Sequence, residues 1–248
     1  MNVAFAALAF APALAIGSFL NVVVARVPER RSIVSPRSAC PGCGHVLAPW
    51  ENLPLLSYAL LRGRCRGCQA PIGLRYPLVE LVTAVLVAAT FFHFGPTADA
   101  FVAAFFVTVL VALSAIDFER RILPDVIVLP SFVLVLVAQT VLYPSPEWAL
   151  AALGASLFLF AALLAYPAGM GMGDVKLALL LGAMLGRYVG VGLMVGMLAA
   201  LVPAIFLIVR HGSSARKMAI PFGPFLAFGA VVALFWGEQL FDAYLGVF

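Results

Sequence analysis

Asp174 lies in the run Gly169-Met170-Gly171-Met172-Gly173-Asp174-Val175-Lys176, which opens directly into the apolar stretch 177–185. An ionised carboxylate at membrane depth is costly, so an acid placed there is a functional candidate in need of a partner. Glycines around it remove side-chain bulk and let a second backbone approach the carboxylate. The plainer alternative is that 169–173 ends one helix and Asp174 caps the next. Asp117, in Ser114-Ala115-Ile116-Asp117, closes a second apolar stretch. Two carboxylates held within a few ångströms cannot both ionise, so one acts as general acid while the other, as base, activates a water. Such a pair titrates as a unit. Asp125, in Leu123-Pro124-Asp125, competes with Asp117 as the partner, although Pro124 favours a capping or loop-holding place in a first helical turn.

A second constellation contains all four cysteines, as Cys40-Pro41-Gly42-Cys43 and Cys65-Arg66-Gly67-Cys68. Each Cys-x-x-Cys turn offers two sulfurs to one ion, and two turns complete a tetrahedral shell, which reads as a structural zinc site. Disulfides are the alternative. The eight arginines of 26–76 place this stretch in the reducing cytoplasm and count against them. His45 is read as a bystander to the thiolates.

These residues must be positioned by membrane helices. With 248 residues, 64% hydrophobic and only 10% charged, the chain cannot cover a water-soluble domain with polar surface. Its mean hydropathy of +1.10 comes from repeated apolar runs of spanning length. The expected fold is an all-α polytopic membrane protein of about eight transmembrane helices, at 3–25, 77–94, 98–116, 124–142, 148–166, 175–185, 189–209 and 220–235. Three parts follow: a first helix at 1–25, a zinc-binding loop domain at 26–76 and a catalytic bundle at 77–248. The net charge of +4 speaks for loops and topology, and no nucleic-acid partner is expected.

The first span has no Lys or Arg before it and Arg26, Arg30 and Arg31 just after, so it reads as a retained anchor with its N-terminus outside. Alternating the spans places 26–76, 117–123, 165–174 and 210–217 inside. Thirteen of the fifteen Lys and Arg fall in the first, second and fourth of these. Asp117 and Asp174 then share the cytoplasmic edge and can meet across a helix interface. Gly17, Ser18 and Asn21 share a face suited to close helix packing.

At this point the chain closely resembles the type IV prepilin leader peptidases and N-methyltransferases, a family of GxGD-type intramembrane aspartyl proteases. The matching stretches are Gly17-Ser18-Phe19-Leu20-Asn21, the two Cys-x-x-Cys turns, Glu51-Asn52-Leu53-Pro54, Tyr76-Pro77-Leu78-Val79-Glu80, Ile116-Asp117 through Leu123-Pro124-Asp125, and Gly171-Met172-Gly173-Asp174-Val175-Lys176. Their joint order is specific where each alone is weak. The resemblance implies Asp117 and Asp174 as the catalytic pair and Cys40, Cys43, Cys65 and Cys68 as zinc thiolates. It implies a multi-pass enzyme of the bacterial inner membrane with a periplasmic N-terminus and a cytoplasmic zinc domain. Such an enzyme cuts the leader of prepilins and type II secretion pseudopilins and then methylates the new amine from S-adenosylmethionine. No strand-turn-helix nucleotide motif is present, so the methyl-donor residues are unassigned.

The remaining supporting candidates are Gly171, Gly173, Asp125, Glu80 and Lys176. Glu80 could orient the new amine or pair with a loop Arg. Lys176, two residues past Asp174, is expected to point away from it and snorkel to the interface. Glu51 and Asn52, beside an apolar run, suggest that the zinc loop docks on membrane lipid or on the bundle. A proton-coupled transporter would also bury carboxylates, but related halves with paired broken helices are not visible. A zinc-dependent membrane adaptor is the third reading, separated from an enzyme by replacing the cysteines.

Overall fold

The computed structural model describes residues 2–166, 170–212 and 220–246. Its helices are α1 (Asn2–Arg26), α2 (Leu56–Leu60), α3 (Arg75–Phe94), α4 (Ala98–Arg120), α5 (Asp125–Leu142), α6 (Glu147–Ala165), α7 (Met172–Leu185), α8 (Val189–His211) and α9 (Gly223–Leu245). A helix satisfies its own backbone, which is why apolar runs of this length fold as helices in lipid. Among the described residues β pairing is limited to two isolated bridges, Ala39 with Val46 and Arg64 with Pro71. The chain forms two compact units, Met1–Ala115 and Ile116–Phe248.

In the first unit α1 and α3 pack antiparallel. Asn2 Nδ2 donates to Phe92 O at 3.1 Å, and Asn21 Nδ2 to Tyr76 O at 3.1 Å. Between these contacts Gly17 meets α3 so closely that a Cβ there would lie 2.7 Å from Glu80 Cα. The small-residue face therefore serves backbone approach. Arg26, buried at the end of α1, donates from Nη1 to Ser32 O at 3.0 Å and from Nη2 to Pro36 O at 2.7 Å, folding the start of the long loop back on itself.

Each Cys-x-x-Cys turn closes in the same way. Cys40 N–H donates to His45 O and Gly44 N–H to Cys40 O, while Cys65 N–H donates to Ala70 O and Gln69 N–H to Cys65 O, all at 2.9 Å. The residue after the second cysteine must turn left-handed in both. Gly44 does so at φ 72 and Gln69 at φ 59.

In the second unit α7 is central and packs on α5, α6, α8 and α9. Leu177, Ala178, Leu180, Leu181 and Ala183 are all buried, so nearly its whole circumference is covered. At Gly182 an added Cβ would overlap the backbone of Ala152 on α6. Gly182→Ala is accordingly expected to lower stability by about 1–3 kcal/mol, read as a reduced midpoint of thermal unfolding in detergent. Gly229 of α9 meets Gly192 and Gly196 of α8 just as closely.

Among the described residues seven helical tracts are long and apolar enough to cross a membrane, with Met172–Arg210 counted as one tract of 39 residues. That tract is broken. Gly186 adopts φ 54 and a 3-10 turn, Gly186–Tyr188, separates α7, of 14 residues, from α8, of 23. Arg187 N–H donates to Glu147 Oε1 at 2.9 Å, tying the break to the start of α6. The expected stretches 175–185 and 189–209 are thus the two halves of this tract. Two ends differ from expectation. Helix α4 continues past 116 to Arg120, which leaves Asp117 within its last turn. Helix α9 begins at Gly223 and runs to Leu245 instead of covering 220–235, because Glu238 and Asp242 lower the hydropathy without interrupting the backbone.

Candidate active site

Helix α7 starts on Gly171, whose extended backbone lets Asp174 reach back as the third helical residue. Gly171 N–H donates to Asp174 Oδ2 at 3.1 Å, so the capping alternative is realised. Capping does not remove the carboxylate from the site. Asp174 is 7% exposed and Asp117 6%, and both line one cavity of about 250 Å³ with Arg121, Ile122, Leu123, Asp125, Gly171 and Gly173. Asp117 is anchored in the same manner from another element. Gly223 N–H, at the start of α9, donates to Asp117 Oδ2 at 3.0 Å. One oxygen of each acid is thereby held by a main-chain N–H. Among the described residues the second oxygen of each accepts no hydrogen bond.

Gly223 is a site residue that the sequence reading missed. A Cβ at this position would lie 2.8 Å from Asp117 Oδ2 and 3.3 Å from its Cγ. The available signal was Gly223-Pro224, a helix start whose first N–H groups have no partner inside the helix. Gly223→Ala is expected to displace the Asp117 carboxylate and reduce turnover by roughly 10- to 100-fold, with the protein still folded. Steady-state cleavage kinetics beside a thermal melt check this.

Within the protein the glycines of the motif have different neighbours. At Gly173 a Cβ would come 3.0 Å from Leu123 Cβ, so what approaches is a side chain and not a second backbone. At Gly171 the nearest atom to an added Cβ is Asp174 Oδ2 at 3.7 Å, an ordinary contact. Gly169 lies outside the described residues. Lys176 does not snorkel alone; its Nζ lies 2.7 Å from Asp125 Oδ2. Asp125 is therefore engaged by a cation on α7, while Asp117 and Asp174 have none bonded to them among the described residues.

Within the first unit Glu80 pairs with a loop N–H in place of a loop Arg among the described residues. Its Oε2 accepts Leu55 N–H at 2.9 Å. Leu55 sits at φ 58, an uncommon conformation for its side chain, so Glu80 holds a strained loop turn against α1 and α3.

The four cysteine sulfurs lie within 4.8 Å of one another. Cys40 Sγ and Cys68 Sγ are 3.8 Å apart, and Cys43 Sγ and Cys65 Sγ 3.9 Å. A tetrahedral ion with metal–sulfur bonds of about 2.3 Å needs sulfur–sulfur edges of about 3.8 Å, so the four can bind a metal. Their protonation agrees. Backbone N–H groups of Cys43 and Gly42 bring Cys40 down to about 7. The His45 backbone lowers Cys43, but the Cys68 thiol and the other sulfurs outweigh it and push it up to about 12. Thiols this crowded cannot all ionise without a central cation. His45 is not a fifth donor: its Nε2 lies 3.1 Å from Glu51 Oε2. Glu51 is buried, accepts Ala48 N–H at 2.7 Å, and is held below the usual carboxylate range by that bond and the His45 ring. Glu51 thereby braces the first cysteine turn.

Comparison with known proteins places these two regions in matched segments. Residues 12–94 match the bacterial peptidase A24 N-terminal domain, and residues 104–209 match the type IV leader peptidase family. The first contains the four cysteines and Glu80, and the second both buried aspartates. A prepilin leader peptidase/N-methyltransferase of Pseudomonas aeruginosa is 40% identical over 94% of this chain and 90% of its own. Proteins of the same name from Aeromonas hydrophila and Legionella pneumophila are 39% and 34% identical, over 96% and 94% of this chain and 93% and 92% of theirs. No solved structure matches. With likeness of this extent across both matched segments, the chain belongs to the type IV leader peptidase family.

Proposed function

We propose that this membrane protein cuts the leader from prepilins by an aspartate pair, Asp117 and Asp174, and then N-methylates the amine that cleavage exposes. The double activity is that of relatives spanning more than nine-tenths of the chain. The observation that carries the residue assignment is two buried carboxylates in one cavity, each with a single oxygen fixed by a glycine N–H. The ionised member takes a proton from water as the oxygen attacks the scissile carbonyl carbon. The protonated member stabilises the developing oxyanion, and a proton passes to the leaving nitrogen as the C–N bond breaks. Gly171 and Gly223 keep the pair aligned, and Gly173 admits Leu123 against it.

Methyl transfer uses S-adenosylmethionine as donor, which supplies an activated methyl group to the amine nitrogen. The ion in the thiolate cluster is zinc in a structural role, because four thiolates in tetrahedral array match its preferred shell. Glu80 supports the loop by holding Leu55. In the division of labour, residues 1–25 anchor, 26–76 form the metal domain and 77–248 form the catalytic bundle. The protein lies in the bacterial inner membrane, with its N-terminus in the periplasm and the zinc domain and aspartates at the cytoplasmic side, as the distribution of Arg supports. Type II secretion pseudopilins, which share a leader-bearing helix, are substrates too.

The test is one reaction containing purified full-length protein, a prepilin in detergent or nanodiscs, and labelled S-adenosylmethionine. Cleaved and methylated pilin supports the reading. Uncleaved substrate overturns the peptidase part, and cleaved but unlabelled product overturns the methyltransferase part.

A further inference from the structure

The ion pair between Asp125 and Lys176 is used by neither step above. Lys176 Nζ meets Asp125 Oδ2 at 2.7 Å, joining the first residue of α5 to the fifth residue of α7. The side chains are 53% and 33% exposed, so the pair adds little to global stability. Its position gives it another consequence. Asp174 lies two residues before Lys176 on α7, and Asp117 reaches Asp125 through the end of α4 and the short segment 121–124. That segment is tightly constrained. Arg121 turns at φ 55, and Leu123 seats against Gly173 and Gly223, the glycines beside the two acids.

We infer that Asp125 and Lys176 form a clamp across the α5 and α7 N-termini that sets the register of Asp117 against Asp174, and that both are positioning residues for peptide cleavage. This rests on the aspartate-pair reading. A clamp of opposite charges needs both signs but not their order, whereas a group acting chemically needs its own identity at its own place. Displacing one catalytic carboxylate by about an ångström is enough to cost turnover heavily while leaving substrate binding intact.

The experiment compares full-length wild type, Asp125→Ala, Lys176→Met and the charge-reversed Asp125→Lys/Lys176→Asp protein in nanodiscs, measuring kcat and KM for prepilin cleavage and a thermal melt for each. Each single variant should lose roughly 10- to 100-fold in kcat with KM changed less than about threefold. The reversed pair should recover to within about fivefold of wild type, with all melts alike. Single variants at wild-type kcat, or a reversed pair no better than the singles, overturn the clamp. So does loss confined to Asp125→Ala, which would mark Asp125 as the chemical partner. Asp117→Asn run alongside separates the two ideas: full activity there defeats the aspartate-pair reading, whatever the clamp variants do.

Discussion

Asp117→Asn and Asp174→Asn should each lower leader cleavage by at least about a thousandfold, and the double variant should be scarcely worse than either single one. The amide keeps the shape of the carboxylate and can still accept the glycine N–H, so helix ends and cavity should persist. What disappears is the ability to carry one exchangeable proton between two oxygens. Non-additivity is the informative part, because groups that act as a unit lose nearly everything when either is removed. Rates are read by electrophoretic shift of a full-length prepilin, with far-UV circular dichroism confirming helicity. Cleavage at the wild-type rate by either variant would sink the assignment. Asp125→Asn, by comparison, retains a hydrogen-bonding partner for Lys176 and should fall far less.

Stripping the metal should unfold the cysteine loop while leaving the helices intact. Structural zinc in small thiolate sites contributes about 10–16 kcal/mol of apparent binding free energy, far more than a loop with few buried apolar groups can replace. Cys40→Ser together with Cys65→Ser, or prolonged chelation, should therefore remove amide protection across 38–72, which includes the closures at Cys40, Gly44, Cys65 and Gln69. Cleavage should weaken, since Glu80 holds Leu55 only while the loop is folded. Hydrogen exchange with metal analysis checks this, and the expected content is one zinc per chain. Unchanged protection after complete metal loss would remove the ion from the account.

Much of this was legible from residue types alone. The apolar runs fixed the helices to within a few positions, and cysteine spacing foretold a cluster that the sulfur positions then satisfied. Asp117 and Asp174 stood out because carboxylates are expensive in lipid, a reason independent of any contact. What stayed hidden were partners distant in the chain. Gly223 is 106 residues from Asp117 and donates through its backbone, which no side-chain pattern announces. Lys176 and Asp125 are 51 residues apart, and helical spacing says which way Lys176 points but not what stands there. Glu51 is a third case: nothing in its apolar neighbours announces that its carboxylate turns in to a local N–H and a ring.

The brevity of α7 carries a consequence for the supply of water. Fourteen residues rise only about 21 Å, against a hydrocarbon thickness of about 30 Å. Longer neighbours wrap it so closely that little of it meets acyl chains, so its shortness is taken up inside the bundle and the lipid is left undisturbed. Water must then reach Asp174 through the protein, by way of the cavity that it lines with Asp117, Arg121 and Asp125, and not through a dent in the bilayer.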